Sequence, residues 1–146
     1  MAVKLDNVGV VVEDLEAAIA FFNELGMELE GRATLEGDWV DRVDGLQGTR
    51  ADIAMLRTPD GRGRLELTRY QHPAAVGPEP ASEPPNTRGM GRIMFNVDDI
   101  DAVVARLQAL GGKLVGEIVQ YENAYRLCYL RGPEGIIVGL AESIGT

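Results

Sequence analysis

A single offset superimposes a 27-residue stretch of the first half of this chain on one in the second. Leu5 to Gly31 reads LDNVGVVVEDLEAAIAFFNELGMELEG and Met90 to Gly116 reads MGRIMFNVDDIDAVVARLQALGGKLVG. An offset of 97 − 12 = 85 residues carries Val12 onto Val97, Asp14 onto Asp99, Gly26 onto Gly111 and Gly31 onto Gly116. It also carries Leu15, Ala18, Ile19, Phe22 and Leu25 onto Ile100, Val103, Val104, Leu107 and Leu110, the apolar stripe of an amphipathic helix. Two copies of one unit are joined in tandem, and the cleft they shape between them is the expected place for a ligand.

The 146 residues amount to one average domain. A formal charge of −9 argues against nucleic acid, whose phosphates call for a basic face. Cys128 is the one cysteine, so no internal disulfide can form and a reducing compartment fits. The opening MAVKLDNVGVVV lacks the charged and apolar regions of a signal peptide, and no run approaches a membrane span. A cytoplasmic protein without membrane contact is expected.

Each copy reads as β-α-β-β-β. In the first, Lys4 to Val12 is a strand, and Asp14 caps a helix over Leu15 to Leu25 that Gly26 stops. Strands follow at Met27 to Leu35, Asp52 to Thr58 and Arg64 to Tyr70, with the stretch EGDWVDRVDGLQGTR read as a loop. Pro73 to Pro85 holds five of the seven prolines and reads as a linker. The second copy has strands at Gly91 to Val97, Lys113 to Glu122, Tyr125 to Arg131 and Ile136 to Glu142, and a helix over Ile100 to Leu110. The expected division is a first module over 1–72, a Pro-rich linker over 73–88 and a second module over 89–146.

Strand parity assigns faces. Val8, Val10 and Val12, with Ile93, Phe95 and Val97, should carry the helices, leaving Asn7, Gly9 and Val11 and Arg92, Met94 and Asn96 opposite. In the last strand of each copy, Leu65 and Leu67, then Val138 and Leu140, turn to the helix, leaving Glu66 and Thr68, then Gly139, opposite.

The repeated unit, the opening LDNVGVVVEDLEAAIAFF, the strand RLELT and the closing PEGIIVGLAE resemble the vicinal oxygen chelate superfamily of glyoxalase I, bleomycin-resistance proteins and extradiol dioxygenases. The resemblance implies an α+β glyoxalase-like fold in which two β-α-β-β-β modules form an open, barrel-like cup. Metal-using members hold a divalent ion with one ligand from the first and one from the last strand of each copy. Carried over residue by residue, those positions are Asn7, Glu66, Arg92 and Gly139, of which only Glu66 is a conventional ligand. A guanidinium about 4 Å from a divalent ion would oppose it by roughly 8 kcal/mol at an effective dielectric of about 20. No cofactor is therefore expected, with a divalent metal left as the alternative, and Arg92 reads as a substitute for a cation, paired with Glu66 or forked onto a ligand oxyanion. A solvent-facing Arg92 is the other reading.

Other residues carry a functional and a plain reading side by side. Trp39 and Arg42 could close over a ligand, or Trp39 could plug the open sheet. Tyr121, Tyr125 and Tyr129 could orient a carbonyl, or pair across strands. His72, the one histidine, reads as exposed and idle at the start of the linker, and Cys128 as a buried inert thiol.

The functional expectation is a protein that binds a small organic molecule in the cup, with Glu66, Arg92 and Asn7 as the reactive set and Thr68, Met94, Asn96, Trp39, Tyr121 and Tyr125 lining it. Two classes stay open: metal-free lyase or isomerase chemistry next to a carbonyl, with Glu66 as base, and sequestration of a drug or metabolite without turnover. A dioxygenase fits least. Unpaired sheet edges and the resemblance both point to a homodimer.

Overall fold

In each half, a helix is laid against one face of a twisted sheet by the caps and apolar stripe that the repeat announces. A computed structural model describes residues 3–77 and 83–145, in two compact units that divide after Gly77. Pro78 to Ser82, within the expected linker, lie outside the described residues.

The first unit comprises β1 (Val8–Val11), α1 (Leu15–Leu25), β2 (Glu28–Glu36), α2 (Asp38–Asp44), β3 (Arg50–Arg57) and β4 (Arg64–His72). The second comprises β5 (Ile93–Asn96), α3 (Ile100–Ala109), β6 (Lys113–Leu114), β7 (Val119–Tyr121), β8 (Tyr125–Arg131) and β9 (Ile137–Ser143). Sheet order is β1-β4-β3-β2 in one and β5-β9-β8-β6 in the other, with β7 also on β8. Neither sheet closes into a barrel, and the fold is α+β. The duplication extends to register: β1 runs parallel to β4 with Val8 opposite Leu65, and β5 runs parallel to β9 with Ile93 opposite Val138.

Local chemistry accounts for both long helices. Asp14 accepts from Ala17 N at 3.0 Å and Asp99 from Ala102 N at 3.1 Å, each satisfying a donor that the first turn leaves unpaired. Gly26, at φ 126°, stops α1, and its N–H returns to the Phe22 and Asn23 carbonyls. The buried stripe is Leu15, Ala18, Phe21, Phe22 and Leu25 in α1 and Ile100, Val103, Val104 and Leu107 in α3. Leu110, expected in that stripe, is instead the exposed cap residue beyond α3, because the helix ends one residue sooner than its copy.

Against α1 lie Val10, Val12, Ala54, Leu56, Leu65 and Leu67; Cys128, Leu130, Val138 and Leu140 form the corresponding buried face in the second unit. Burying each of the larger side chains contributes on the order of 1.5–3 kcal/mol. Parity thus separates a dry face under each helix from a face turned away from it.

Three expectations change. The stretch read as a loop holds α2, one short amphipathic turn set that buries Val40 and ends at Gly45 in the left-handed region. The strand expected over Lys113 to Glu122 breaks into β6 and β7. The first strand of each unit is shorter than expected, so Asn7 and Arg92 each stand one residue before their strand. Among the described residues no helix is long and apolar enough to cross a membrane.

Candidate functional site

In the first unit, burial of Leu65 and Leu67 turns Arg64, Glu66 and Thr68 to the face away from α1. Glu66 is level with Gly9 on one side and Met55 on the other. A Cβ built on Gly9 would meet nothing within 4 Å, so there is open space over the register partner of Glu66. Thr68 Oγ1 donates to Glu66 Oε1 at 3.4 Å. Asn7 is half-buried, and its Nδ2 donates to Asp6 Oδ2 at 2.7 Å.

Arg64 completes this cluster, and the sequence reading did not single it out. Its Nη2 donates to Glu30 Oε1 at 2.6 Å, and its Nη1 lies 3.5 Å from the Asp6 Oδ2 that Asn7 also contacts. The hydrogen bond to Glu30 holds the guanidinium pKa above its usual value, with the charges of Glu30, Asp6 and Glu66 adding to it. Arg64 Nε is buried and has no hydrogen-bond partner among the described residues. The signal for it was available, since Arg64 precedes Glu66 by two residues and shares its face.

In the second unit, the guanidinium of Arg92 lies over the Tyr129 ring, 5.0 Å from its centroid. Tyr129, Gly139 and Met94 stand level across β8, β9 and β5. The Met94 thioether covers Gly139 so closely that a Cβ there would collide with Sδ. At position 139 the last strand therefore offers a bare backbone under a methionine. Asn96 is exposed at the end of β5, level with Ala141.

Tyr121 and Tyr125 are cross-strand partners whose rings stack, centroids 5.8 Å apart and planes 29° from parallel. Trp39 is 57 % exposed on α2, so it plugs nothing, and its neighbour Val40 is the residue that packs. Cys128 faces α3 from opposite Leu140, and burial pushes its thiol pKa up. Glu142 lies on the helix side too, accepting from Ile100 N at 2.8 Å at the start of α3.

Of the four positions carried over from the resemblance, Glu66 alone is a conventional ligand for a divalent ion. Glu66 stands without a second ligand-type side chain at the carried-over position in its unit, and the second unit offers an arginine and a glycine. Among the described residues no three of His, Cys, Asp or Glu gather where they could hold one metal.

Residues 4–140 match the family model described as Glyoxalase/Bleomycin resistance protein/Dioxygenase superfamily. The uncharacterised protein YwbC of Bacillus subtilis (strain 168) is 30 % identical over 138 residues, 92 % of this chain and 94 % of that one. The crystal structure of a glyoxalase family protein from Bacillus cereus superimposes with a TM-score of 0.94 at 52 % identity, covering 99 % of this chain and 97 % of that one. The fosfomycin resistance protein FosX of Listeria monocytogenes shares the fold at a TM-score of 0.63 and 14 % identity, covering 100 % of this chain and 95 % of that one. With the duplicated module, its register and these likenesses in agreement, the chain belongs to the glyoxalase/bleomycin resistance protein/dioxygenase superfamily.

Proposed function

We propose that this protein binds a small organic molecule on the sheet faces turned away from α1 and α3, without the divalent ion that relatives employ. The observation that carries this reading is the Met94 side chain lying over Gly139, a residue that itself supplies no ligand. Arg92 adds to it, because a stacked guanidinium offers donors to an oxyanion and repels a cation. Elemental analysis of protein purified without chelator should find no stoichiometric divalent metal. A stoichiometric ion whose binding is lost in Glu66→Gln would overturn the reading.

A second reading, metal-free chemistry next to a carbonyl, is favoured by the open space over Gly9, the strand neighbour of Glu66. Glu66 would take the proton from the carbon beside the carbonyl, and Asn7, which keeps a second amide N–H beyond the one given to Asp6, would donate to the enolate oxygen. Glu66→Gln preserves shape and removes the base. Turnover of an α-carbonyl acid that disappears in this variant with binding retained supports proton transfer. Binding with turnover in neither form supports sequestration.

The homodimer expected from the sequence has a candidate surface in β2, the edge of its sheet and exposed along nearly its whole length. Sedimentation velocity at micromolar concentration should show a species twice the chain mass, and a monomer throughout would refute it.

A further inference from the structure

The second unit contains a cleft of about 330 Å³ whose lining, among the described residues, comes from that unit. One wall is the start of β9 and the turn before it, with Ile136 and the 5 % exposed Ile137; the other is the chain leading into β5, with Pro84, Pro85 and Met90. Arg131, level with Ile137, ties the walls together by donating to the carbonyls of Gly135 and Glu83. Two further guanidiniums, Arg88 and Arg92, line the cleft, against the carboxylates of Glu83 and Glu134. The combination is an apolar trough edged by three guanidiniums and two carboxylates.

We infer that this cleft binds an amphiphilic organic anion, a carboxylate or phosphoryl group held by Arg88 and Arg92 and its apolar body by Met90, Pro84, Pro85 and Ile137. The lining sets three guanidiniums against two carboxylates, a local excess of one positive charge in a chain whose net charge is −9. Its use is local recognition of an oxyanion, which a guanidinium fork meets with two parallel N–H donors. Tyr129 is the positioning residue: stacking on its ring removes rotamer freedom from the Arg92 side chain before a ligand arrives. Arg131, already committed to two backbone carbonyls, shapes the cleft and does not take the ligand.

This inference rests on the small-molecule reading above and gives it a ligand class. Isothermal titration with four probes of equal chain length tests it: octanoate, octyl phosphate, octanol and octyltrimethylammonium. Saturable binding of octanoate or octyl phosphate, at least about tenfold tighter than octanol and with no binding of the ammonium, is expected. Arg92→Met and Arg88→Met should each weaken the anion about tenfold or more, with Arg92→Lys intermediate and octanol unchanged.

Equal affinity for octanol and octanoate in the unaltered protein would overturn the inference without any variant having to fold. Unchanged anion affinity in Arg92→Met would overturn it as well. Either failure leaves the metal analysis untouched, so loss of the ligand class and loss of the metal-free reading are separately visible.

Discussion

Met94 lies across Gly139. The two residues are parallel partners in β5 and β9, and the glycine is buried because the methionine covers it. With no side chain projecting from the last strand at position 139, the face there is filled by a thioether leaning over from the first.

Adding a side chain at position 139 must displace Met94. Because a thioether chain swings readily, Gly139→Ala should cost no more than about 1 kcal/mol, whereas Gly139→Val should cost about 2–3 kcal/mol. In a Met94→Ala background the penalty should largely vanish. Urea unfolding of the four proteins of each cycle measures the coupling.

Asp14→Ala and Asp99→Ala should each destabilise their helix by about 1 kcal/mol, while the corresponding Asn variants retain most of the stability. Hydrogen exchange of the first-turn amides, Ala17 N and Ala102 N above all, should quicken in the Ala variants alone.

Asp41 accepts from Gly48 N at 3.0 Å and Thr49 N at 2.8 Å, and these bonds, Thr49's first, hold its carboxyl below the usual carboxylate range. A folded pKa below the unfolded one gives stability that is present above the unfolded value and is lost as pH falls through the folded one. Asp41→Asn should therefore flatten the acid limb of the stability profile below about pH 4 and leave its shape near neutrality unchanged. Thermal melts from pH 2.5 to 7 would show it.

The Cys128 thiol has the opposite sign. Burial raises its folded pKa above the unfolded one, so the stability it contributes is complete below the unfolded value and is lost as pH rises through the folded one. Stability should begin to decline above about pH 8.5, less so in Cys128→Ala. Thiol-reactive dye at pH 8 should modify the native protein only as fast as it opens, and rapidly in denaturant.

The repeat made most of the scaffold legible. A matched Asp cap, a matched apolar stripe and a matched glycine stop locate both helices, and period-two alternation around Leu65 and Leu67 sorts Glu66 and Thr68 onto the opposite face before any coordinates are consulted. The misses fall where local signals compete. Gly37 and Gly45 made the segment between them look like a loop, although they bound the short helix α2, and Gly116 hid the break between β6 and β7. The site was less legible still. Arg64 was two residues from Glu66 and on its face, yet its engagement with Glu30 and Asp6 depends on segments 34 and 58 residues away in the chain.

Sequence alone determined the tandem modules, the face each strand residue takes, and that Glu66 is the one conventional metal-ligand type among Asn7, Glu66, Arg92 and Gly139, because periodicity and residue chemistry are local properties. Tertiary structure decided what surrounds these positions: Met94 over Gly139, Arg92 on Tyr129, Arg64 beside Glu66, and a cleft closed by Arg131. Such contacts join residues from separate strands and are selected by packing and electrostatics across the sheet, which no pattern along the chain encodes.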